Sequence, residues 1–341
     1  MASIFIVGAT GYIGGAVLTR LLSENPSLNI TALVRTDAKA DQLKAAHPTV
    51  KTVLGDLDSS DTLTALAAQH DIIITAANSD HPEHITAIYE GMAQNKSGKP
   101  TYLIHTSGTG ITLDTSLKHA GEAVQSEISD KNWDDVADYT ELVNFPLEQL
   151  HRNVDVLVQA PPVDRNPNIR YAIICPPLIW GESKGAINTR SIQIPLIIHS
   201  ALQRGQAFHI GSGENRWSHV HVEDLVDLYI SLIEDALKED GGKAGWSENG
   251  GWYFAESGVT TWGEITRTIA KVGYEKGLFK SDEAEAVDVP TAASLNRLGP
   301  VLWGLQSLTT ATRAREAFGW NPKELDILGS LEGEVEVVSK K

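Results

Sequence analysis

Residues 3–15 read SIFIVGATGYIGG, a short apolar run followed by spaced glycines. Ile4 to Val7 has the length and β-branched content of a buried parallel strand, and it stops at three glycines, Gly8, Gly11 and Gly14. Apolar residues then recur at helical spacing (Ala16, Val17, Leu18, Leu21, Leu22) until Asn25-Pro26 ends the segment. The glycines therefore stand where a strand hands over to a helix N-terminus, which is where a pyrophosphate can sit. Gly8 permits the tight turn, Gly11 lets backbone N–H groups approach phosphate oxygens, and Gly14 lets the helix pack close to the strand. The helix dipole favours the negative charge. Strand, turn and helix together predict a dinucleotide site rather than a plain Gly-rich connection, with Thr10, Tyr12 and Ile13 of the same turn among its cofactor contacts.

The same rhythm continues along the chain. Strands are expected over 29–34, 50–54, 71–76, 101–106 and 169–175. Helices are expected over 37–47, capped by Asp37, and over 59–69 and 84–94. Alternation with short links predicts an α/β fold, a Rossmann-type doubly wound parallel sheet with its ligand site at the carboxyl ends of the strands. From Pro176 onward Pro, Gly and Trp are scattered among helical stretches at 192–203, 223–237 and 262–272, which suits a smaller C-terminal substrate lobe. The expected division is a dinucleotide-binding domain over 1–175, also receiving about 205–240, a substrate lobe from 176–204 and 241–330, and a polar tail over 331–341.

The 341 residues carry a formal net charge of −16, which argues against nucleic acid or an anionic membrane as partner, since binders of polyanions carry basic surface. Cys175, the single cysteine, has no internal disulfide partner and reads as a small core residue at a strand end, consistent with a reducing cytoplasm. No apolar run approaches the roughly 18 to 20 residues of a membrane helix, and the first residues are spent on a strand rather than a secretion signal. Asn95-Lys96-Ser97 matches a glycosylation sequon by accident. The expected partner is a small-molecule substrate, with a homodimer left open.

The end of the second strand tells one dinucleotide from the other. An acid about 20 residues beyond the glycines suits the ribose 2′-OH of NAD, an arginine the 2′-phosphate of NADP. The residue here is Arg35, so NADP(H) is favoured over NAD(H); Asp37 is explained by helix capping. Asp56, beside Leu57 after the third strand, is placed to accept from the adenine amino group, against the alternative of a surface loop acid. Ala76 and Ala77 close the fourth strand and are small enough for the cofactor to pass over the sheet, and Pro176 closes the last strand beside it.

GATGYIG, the following LVR (Leu33 to Arg35) and GDL (Gly55 to Leu57), HTSGTG (His105 to Gly110), CPPLIWG (Cys175 to Gly181) and GENRWSHVHVEDL (Gly213 to Leu225) together resemble an extended or atypical short-chain dehydrogenase/reductase of the NAD-dependent epimerase/dehydratase type. The resemblance spans about residues 1 to 320 and is nearer to fungal members described as nucleoside-diphosphate-sugar epimerase-like. It implies a Ser at the end of the fifth strand and a Tyr-x-x-x-Lys on the next long helix, the tyrosine moving the proton at the substrate oxygen and the lysine lowering its pKa.

The chain departs from that pattern. Counting back from Pro176-Pro177 puts the helix at 146–158, with His151 in the Tyr position and Asp155 in the Lys position. The serine slot falls on Gly108, leaving Ser107 and Thr109 as displaced hydroxyls. Tyr139 has Val143 four residues later and cannot replace the pair. His151 and Asp155, at i and i+4, would share a helix face, where a carboxylate orients an imidazole for acid–base work; the alternative is a solvent-facing helical pair. His219 and His221 lack a third ligand, so no metal is expected. His81 is placed near the site mouth.

The resemblance also assigns substrate contacts to Asn188, Arg190, Gln193, Arg216 and Trp217; for Arg216 an ion pair with Glu214 or Glu223 is the alternative. Trp246, Trp252, Trp262 and Trp303 read as core. The expectation is an NADP(H)-dependent oxidoreductase of a small carbonyl or hydroxyl compound. The missing Tyr and Lys leave two alternatives, a non-redox isomerase or cyclase and a catalytically silent cofactor sensor.

Overall fold

The computed structural model describes residues 2–238, 242–247 and 250–340. The chain opens with β1 (Ser3–Val7), α1 (Tyr12–Glu24), β2 (Asn29–Val34), α2 (Asp37–Ala46), β3 (Lys51–Leu54), α3 (Ser60–Ala67), β4 (Ile72–Thr75), α4 (Pro82–Gln94) and β5 (Thr101–Thr106). An excursion through α5 (Glu127–Asp130), β6 (Asn132–Asp134), α6 (Tyr139–Leu142) and α7 (Arg152–Val158) leads to β7 (Ile169–Cys175). Then follow β8 (Leu178–Trp180), α8 (Gln193–Arg204), β9 (Phe208–Ile210), β10 (Arg216–His221), α9 (Val222–Ala236), β11 (Trp252–Phe254), β12 (Gly258–Thr261) and α10 (Trp262–Glu275). The last elements are β13 (Glu285–Val287), α11 (Val289–Leu295), α12 (Gly299–Gly304), β14 (Leu308–Thr310), α13 (Thr312–Phe318) and α14 (Ile327–Ser339).

Seven strands form one parallel sheet in the order β11-β7-β5-β4-β1-β2-β3. The order reverses between β1 and β4, so their carboxyl ends open a crevice at the switch point. Strands β1, β4, β5 and β7 are buried along almost their whole length, because helices cover both faces and continuous Ile, Val and Leu runs are what such a sheet requires. Only β3, at the edge, is largely open, with Leu54 50 % exposed.

A second core gathers Trp180, Trp217, Trp262, Trp303 and Phe208 around α8, α10 and the small sheet β12-β10-β8. The chain enters and leaves this core repeatedly: α9, β11 and the segment carrying Ala311, Ala314 and Trp320 belong to the first core. Residues 252–254 and 311–320, expected in the lobe, thus complete the large sheet's side, with Tyr253 of β11 in register with Ile174 of β7.

Three further differences from the sequence reading have local causes. The helix over 37–47 is capped by Thr36, whose side chain accepts from Lys39 N, so Asp37 is a first-turn acid. The helix over 146–158 exists only as α7, because His151 adopts a left-handed conformation (φ 69°) at its N-cap. Buried Arg152 then ties the preceding turns back against α7, donating to the carbonyls of Phe145 (3.1 Å) and Val143 (3.0 Å). The polar tail expected over 331–341 is helical as far as Ser339, where α14 ends, and Lys341 lies outside the described residues: Ile327, Leu331 and Val335 recur every fourth residue, form a buried stripe, and pack on α8 and α10.

Candidate functional site

The crevice begins at the glycine turn. Gly8 has φ +97°, and a Cβ there would lie 2.3 Å from the Ala76 carbonyl oxygen. A Cβ on Gly14 would lie 2.4 Å from the Gly8 carbonyl oxygen, so β1, α1 and the end of β4 touch backbone to backbone. Gly11 differs: its backbone is extended (φ −86°, ψ 179°), and a Cβ would meet the Gly8 carbonyl oxygen at 3.1 Å and the Ala76 carbonyl oxygen at 3.9 Å. No side chain caps the first N–H groups of α1, and its first turn holds no acid. A helix start of this kind leaves its first N–H groups and the positive end of its dipole open to an anion, so the turn fits a dinucleotide pyrophosphate.

Beside the turn, a cleft of about 270 Å³ is lined by Tyr12, Ile13, Ala76, Pro177, Ile179, Asn188, Ser191, Ile192 and Gln193. It brings residues expected on the cofactor side together with two expected on the substrate side. The Tyr12 hydroxyl is not available to a ligand, because it donates to the Gly181 carbonyl at 2.6 Å; burial raises its pKa. Pro176 lies beneath, its carbonyl accepting from Thr109 N at 3.1 Å. Thr10 is partly exposed and Ala77 exposed at the rim.

At the far end Arg35 is exposed, and among the described residues no carboxylate pairs with it. Asp56 uses Oδ1 to open α3, accepting from Ser59 Oγ (2.7 Å) and Asp58 N (3.1 Å). The Ser59 bond is the main cause of its depressed pKa. Leu57 is half-buried against the first core.

The polar centre lies between the chain ends leaving β4 and β5, and its pairing is not the expected one. His151 Nδ1 is 2.8 Å from Asp80 Oδ1 and 3.1 Å from Ser79 Oγ. A carboxylate only accepts, so Asp80 assigns the proton to Nδ1 of the neutral ring and leaves Nε2 as the free nitrogen. That nitrogen lies over the turn after β5, where a Cβ on Gly108 or Gly110 would come within 3.1 or 2.8 Å of it. The hydrogen bond to His151 is the main reason that Asp80 titrates below the ordinary aspartate value.

Asp155, the expected partner of His151, points elsewhere: fully buried, it accepts from Ser107 Oγ at 3.1 Å through Oδ2. With His151 at the N-cap rather than on the helix, the two do not form a shared-face pair. Asp80 and Ser79 were missed because the run Asn78-Ser79-Asp80 reads as an ordinary loop; its position directly after β4, at the switch point, was the available signal.

Other candidates find structural partners. His81 Nε2 is 2.9 Å from Asp58 Oδ1. Arg190 is held by Glu334 (3.0 Å) and Glu182 (3.3 Å). Arg216 is exposed and bonds Gln306, its amide at 2.9 Å, rather than Glu214 or Glu223. Trp217 does not face a ligand: it is 5 % exposed, its ring edge-on to Trp262 in the second core. His219 accepts from Trp180 Nε1 at 3.2 Å, and burial lowers its pKa to about 4. His221 caps α9. Among the described residues no group of three or more His, Cys, Asp or Glu could hold a metal ion, and no helix is long and apolar enough to cross a membrane.

Residues 8–136 match the family model described as NAD(P)H-binding, and residues 159–244 that of the NAD dependent epimerase/dehydratase family. The chain is 32 % identical to "Oxidase ucsJ" from Acremonium sp over 97 % of each chain. It is 23 % identical to an uncharacterised protein of Saccharomyces cerevisiae over 96 % of this chain and 97 % of that one. Its fold is similar to UDP-glucose 4-epimerase from Thermotoga maritima (TM-score 0.65, 14 % identity, 99 % of each chain). It is likewise similar to the dTDP-glucose 4,6-dehydratase DesIV from Streptomyces venezuelae, solved with NAD bound (TM-score 0.67, 15 % identity, 99 % of this chain and 97 % of that one).

Proposed function

Because the chain belongs to the NAD-dependent epimerase/dehydratase family of extended short-chain dehydrogenases/reductases, we propose that it is an NADP(H)-dependent oxidoreductase acting on a small carbonyl or hydroxyl compound. His151 moves the proton at the substrate oxygen. The observation that carries this reading is the Asp80–His151 dyad, whose free Nε2 lies where β4 and β5 end.

The turn from Gly8 to Gly14, with Thr10 and Ile13, would hold the pyrophosphate, Asp56 and Leu57 would meet the adenine, and Ala76, Ala77 and Pro176 would floor the rest. The dinucleotide supplies a hydride donor or acceptor at its nicotinamide. The protein's own contribution is positioning and proton management. Asp80 fixes the ring direction of His151 and favours its imidazolium form by opposite charge, so Nε2–H can give a proton to an oxygen being reduced, and neutral Nε2 can take one from an alcohol being oxidised. Asn188, Ser191 and Gln193, in the cleft beside Tyr12, are polar side chains that would hold the substrate, Gln193 through its amide oxygen, since its Nε2 donates to the Leu302 carbonyl at 3.0 Å. Thr109 contributes through its backbone bond to Pro176, which fixes the turn.

Arg35 carries the preference for NADP(H). Its guanidinium has no competing carboxylate among the described residues, so a 2′-phosphate would gain a charge-assisted contact. Arg35→Ala weakens NADPH binding alone, by about 1.5 to 3 kcal/mol. Fluorescence titration of both reduced nucleotides checks it. Equal affinities in the parent, or equal weakening of both by the substitution, removes the preference.

The activity is tested by following NADPH consumption against a panel of small aldehydes and ketones, and NADP reduction against the matching alcohols. Turnover in either direction supports the reading. A dinucleotide that binds while no carbonyl or alcohol is converted, and whose oxidised and reduced forms differ in affinity, points instead to a cofactor sensor.

A further inference from the structure

Behind the end of β5 lies a row of polar side chains that the His151 dyad does not use. Thr75, His105, Asp155 and Ser107 are 1, 1, 0 and 6 % exposed. Thr75 Oγ1 and His105 Nδ1 are 2.7 Å apart, on neighbouring strands in register. Ser107 Oγ donates to Asp155 Oδ2 at 3.1 Å. The two remaining atoms, His105 Nε2 and Asp155 Oδ1, face each other at 4.0 Å, and neither has a hydrogen-bond partner among the described residues. Buried polar atoms are almost always paired, and an orphan donor facing an orphan acceptor at this depth is costly unless the two serve each other.

We propose that His105 and Asp155 form a buried couple that sets the direction of the Ser107 hydroxyl, and that Ser107 is a second contact to the substrate oxygen beside His151. The inference rests on the oxidoreductase reading for its functional half. Thr75 donates to His105 Nδ1, which places the ring proton on Nε2, facing Asp155. With Asp155 ionised, Ser107 donates its hydrogen bond to Oδ2 and offers the substrate oxygen no proton, leaving the hydroxyl proton of an alcohol to His151 Nε2. With Asp155 protonated, the carboxyl donates to Ser107 Oγ, the Ser107 hydroxyl turns outward, and it polarises a carbonyl. No proton leaves Ser107 for the substrate in either state; that transfer belongs to His151. Ser107 immediately precedes Gly108, where a Cβ would come within 3.1 Å of His151 Nε2, so the two groups belong to the same turn after β5. His105 and Asp155 act through Ser107 and are positioning residues.

The surroundings keep both states of Asp155 accessible near neutrality. Burial pushes its pKa up to about 7, against the Ser107 bond and the charges of His151 and Arg152, with Asp80 raising it. Burial, with the neighbouring His84 of α4 and His151, holds His105 well below the ordinary histidine value, so it stays neutral. Cys175 of β7 faces the same carboxylate, its thiol pushed up by burial.

The test begins without substrate. In the parent protein labelled with ¹⁵N-histidine, NMR shows His105 as the neutral Nε2–H tautomer, and its ring signals move as Asp155 titrates near neutral pH. Asp155→Asn abolishes that movement; His105→Gln with ¹³C-carboxylate detection of Asp155 serves if the first variant does not fold. An Nδ1–H tautomer, or a transition that persists in Asp155→Asn, overturns the proposal whatever becomes of the oxidoreductase reading. With a substrate, Ser107→Ala lowers kcat for reduction by about tenfold, the worth of one hydrogen bond. Asp155→Asn flattens the pH dependence of the reduction-to-oxidation ratio while the His151 limb stays. Unchanged rates and an unchanged ratio in both variants overturn the role of Ser107. An intact couple in a parent that turns nothing over sinks the oxidoreductase reading and, with it, the functional half.

Discussion

His151→Ala lowers turnover by about 10² to 10⁴ while leaving dinucleotide affinity nearly unchanged, the range expected for loss of a general acid–base group. The expectation follows from place and orientation. Nε2 is the ring nitrogen left over by Asp80, it lies against the glycine turn after β5, and the ring is only partly shielded, at 19 % side-chain exposure. Asp80→Asn costs less, because the amide keeps the shape and removes only the charge. Activity should also fall in acid as Asp80 takes up a proton. A carboxyl with a depressed pKa contributes above its unfolded value and loses that contribution as pH drops through the lower folded one. Steady-state kinetics with both variants, together with nucleotide titration, separates chemistry from binding. Full activity in His151→Ala leaves the ring as a packing residue and removes the proposed catalyst.

Gly11→Val weakens dinucleotide binding by about a hundredfold or more, the worth of two charge-assisted hydrogen bonds, in a protein that still folds. Gly11 already has backbone angles that an L-residue adopts, and its added Cβ meets two carbonyl oxygens no nearer than 3.1 Å, so the damage falls on whatever approaches the turn from outside. Gly8→Ala is the contrasting case. There φ is +97° and the clash with the Ala76 backbone is at 2.3 Å, which strains β1 against β4 and lowers stability by about 1 to 3 kcal/mol or more before any ligand is considered. Calorimetric titration beside thermal melts distinguishes the two. Undiminished affinity in a folded Gly11→Val protein would reduce the glycine turn to a connection.

The parts of this molecule that a sequence displays are those that repeat locally. A run such as Ile72 to Thr75 can only be a buried strand, and a strand that ends in spaced glycines before an amphipathic helix announces its turn without any knowledge of the rest. Pairings between distant positions are hidden: His151 and Asp80 are 71 residues apart, and the helical spacing of Asp155 offered a nearer carboxylate. What defeated that spacing was one left-handed residue, His151 itself, which nothing in a non-glycine side chain advertises. Trp217 shows the converse, since a motif placed it toward a ligand while the packing of Trp262 drew it into the lobe. In α14 the buried stripe was masked by the glutamates between and after its apolar positions, Glu332 and Glu334 before Val335 and Glu336 beyond it.

The repeated passage of the chain between its two cores has a mechanical consequence. Because the first core takes in α9, β11 and Ala311 to Trp320 while the intervening segments build the second, neither half is a continuous length of polypeptide that can detach. Cutting one connection frees no intact half, and loosening one core drags strands or helices out of the other. The two halves should therefore melt as one cooperative unit, and a dinucleotide seated on β1 and α1 would protect the tryptophan-rich lobe it scarcely touches as much as the sheet beneath it.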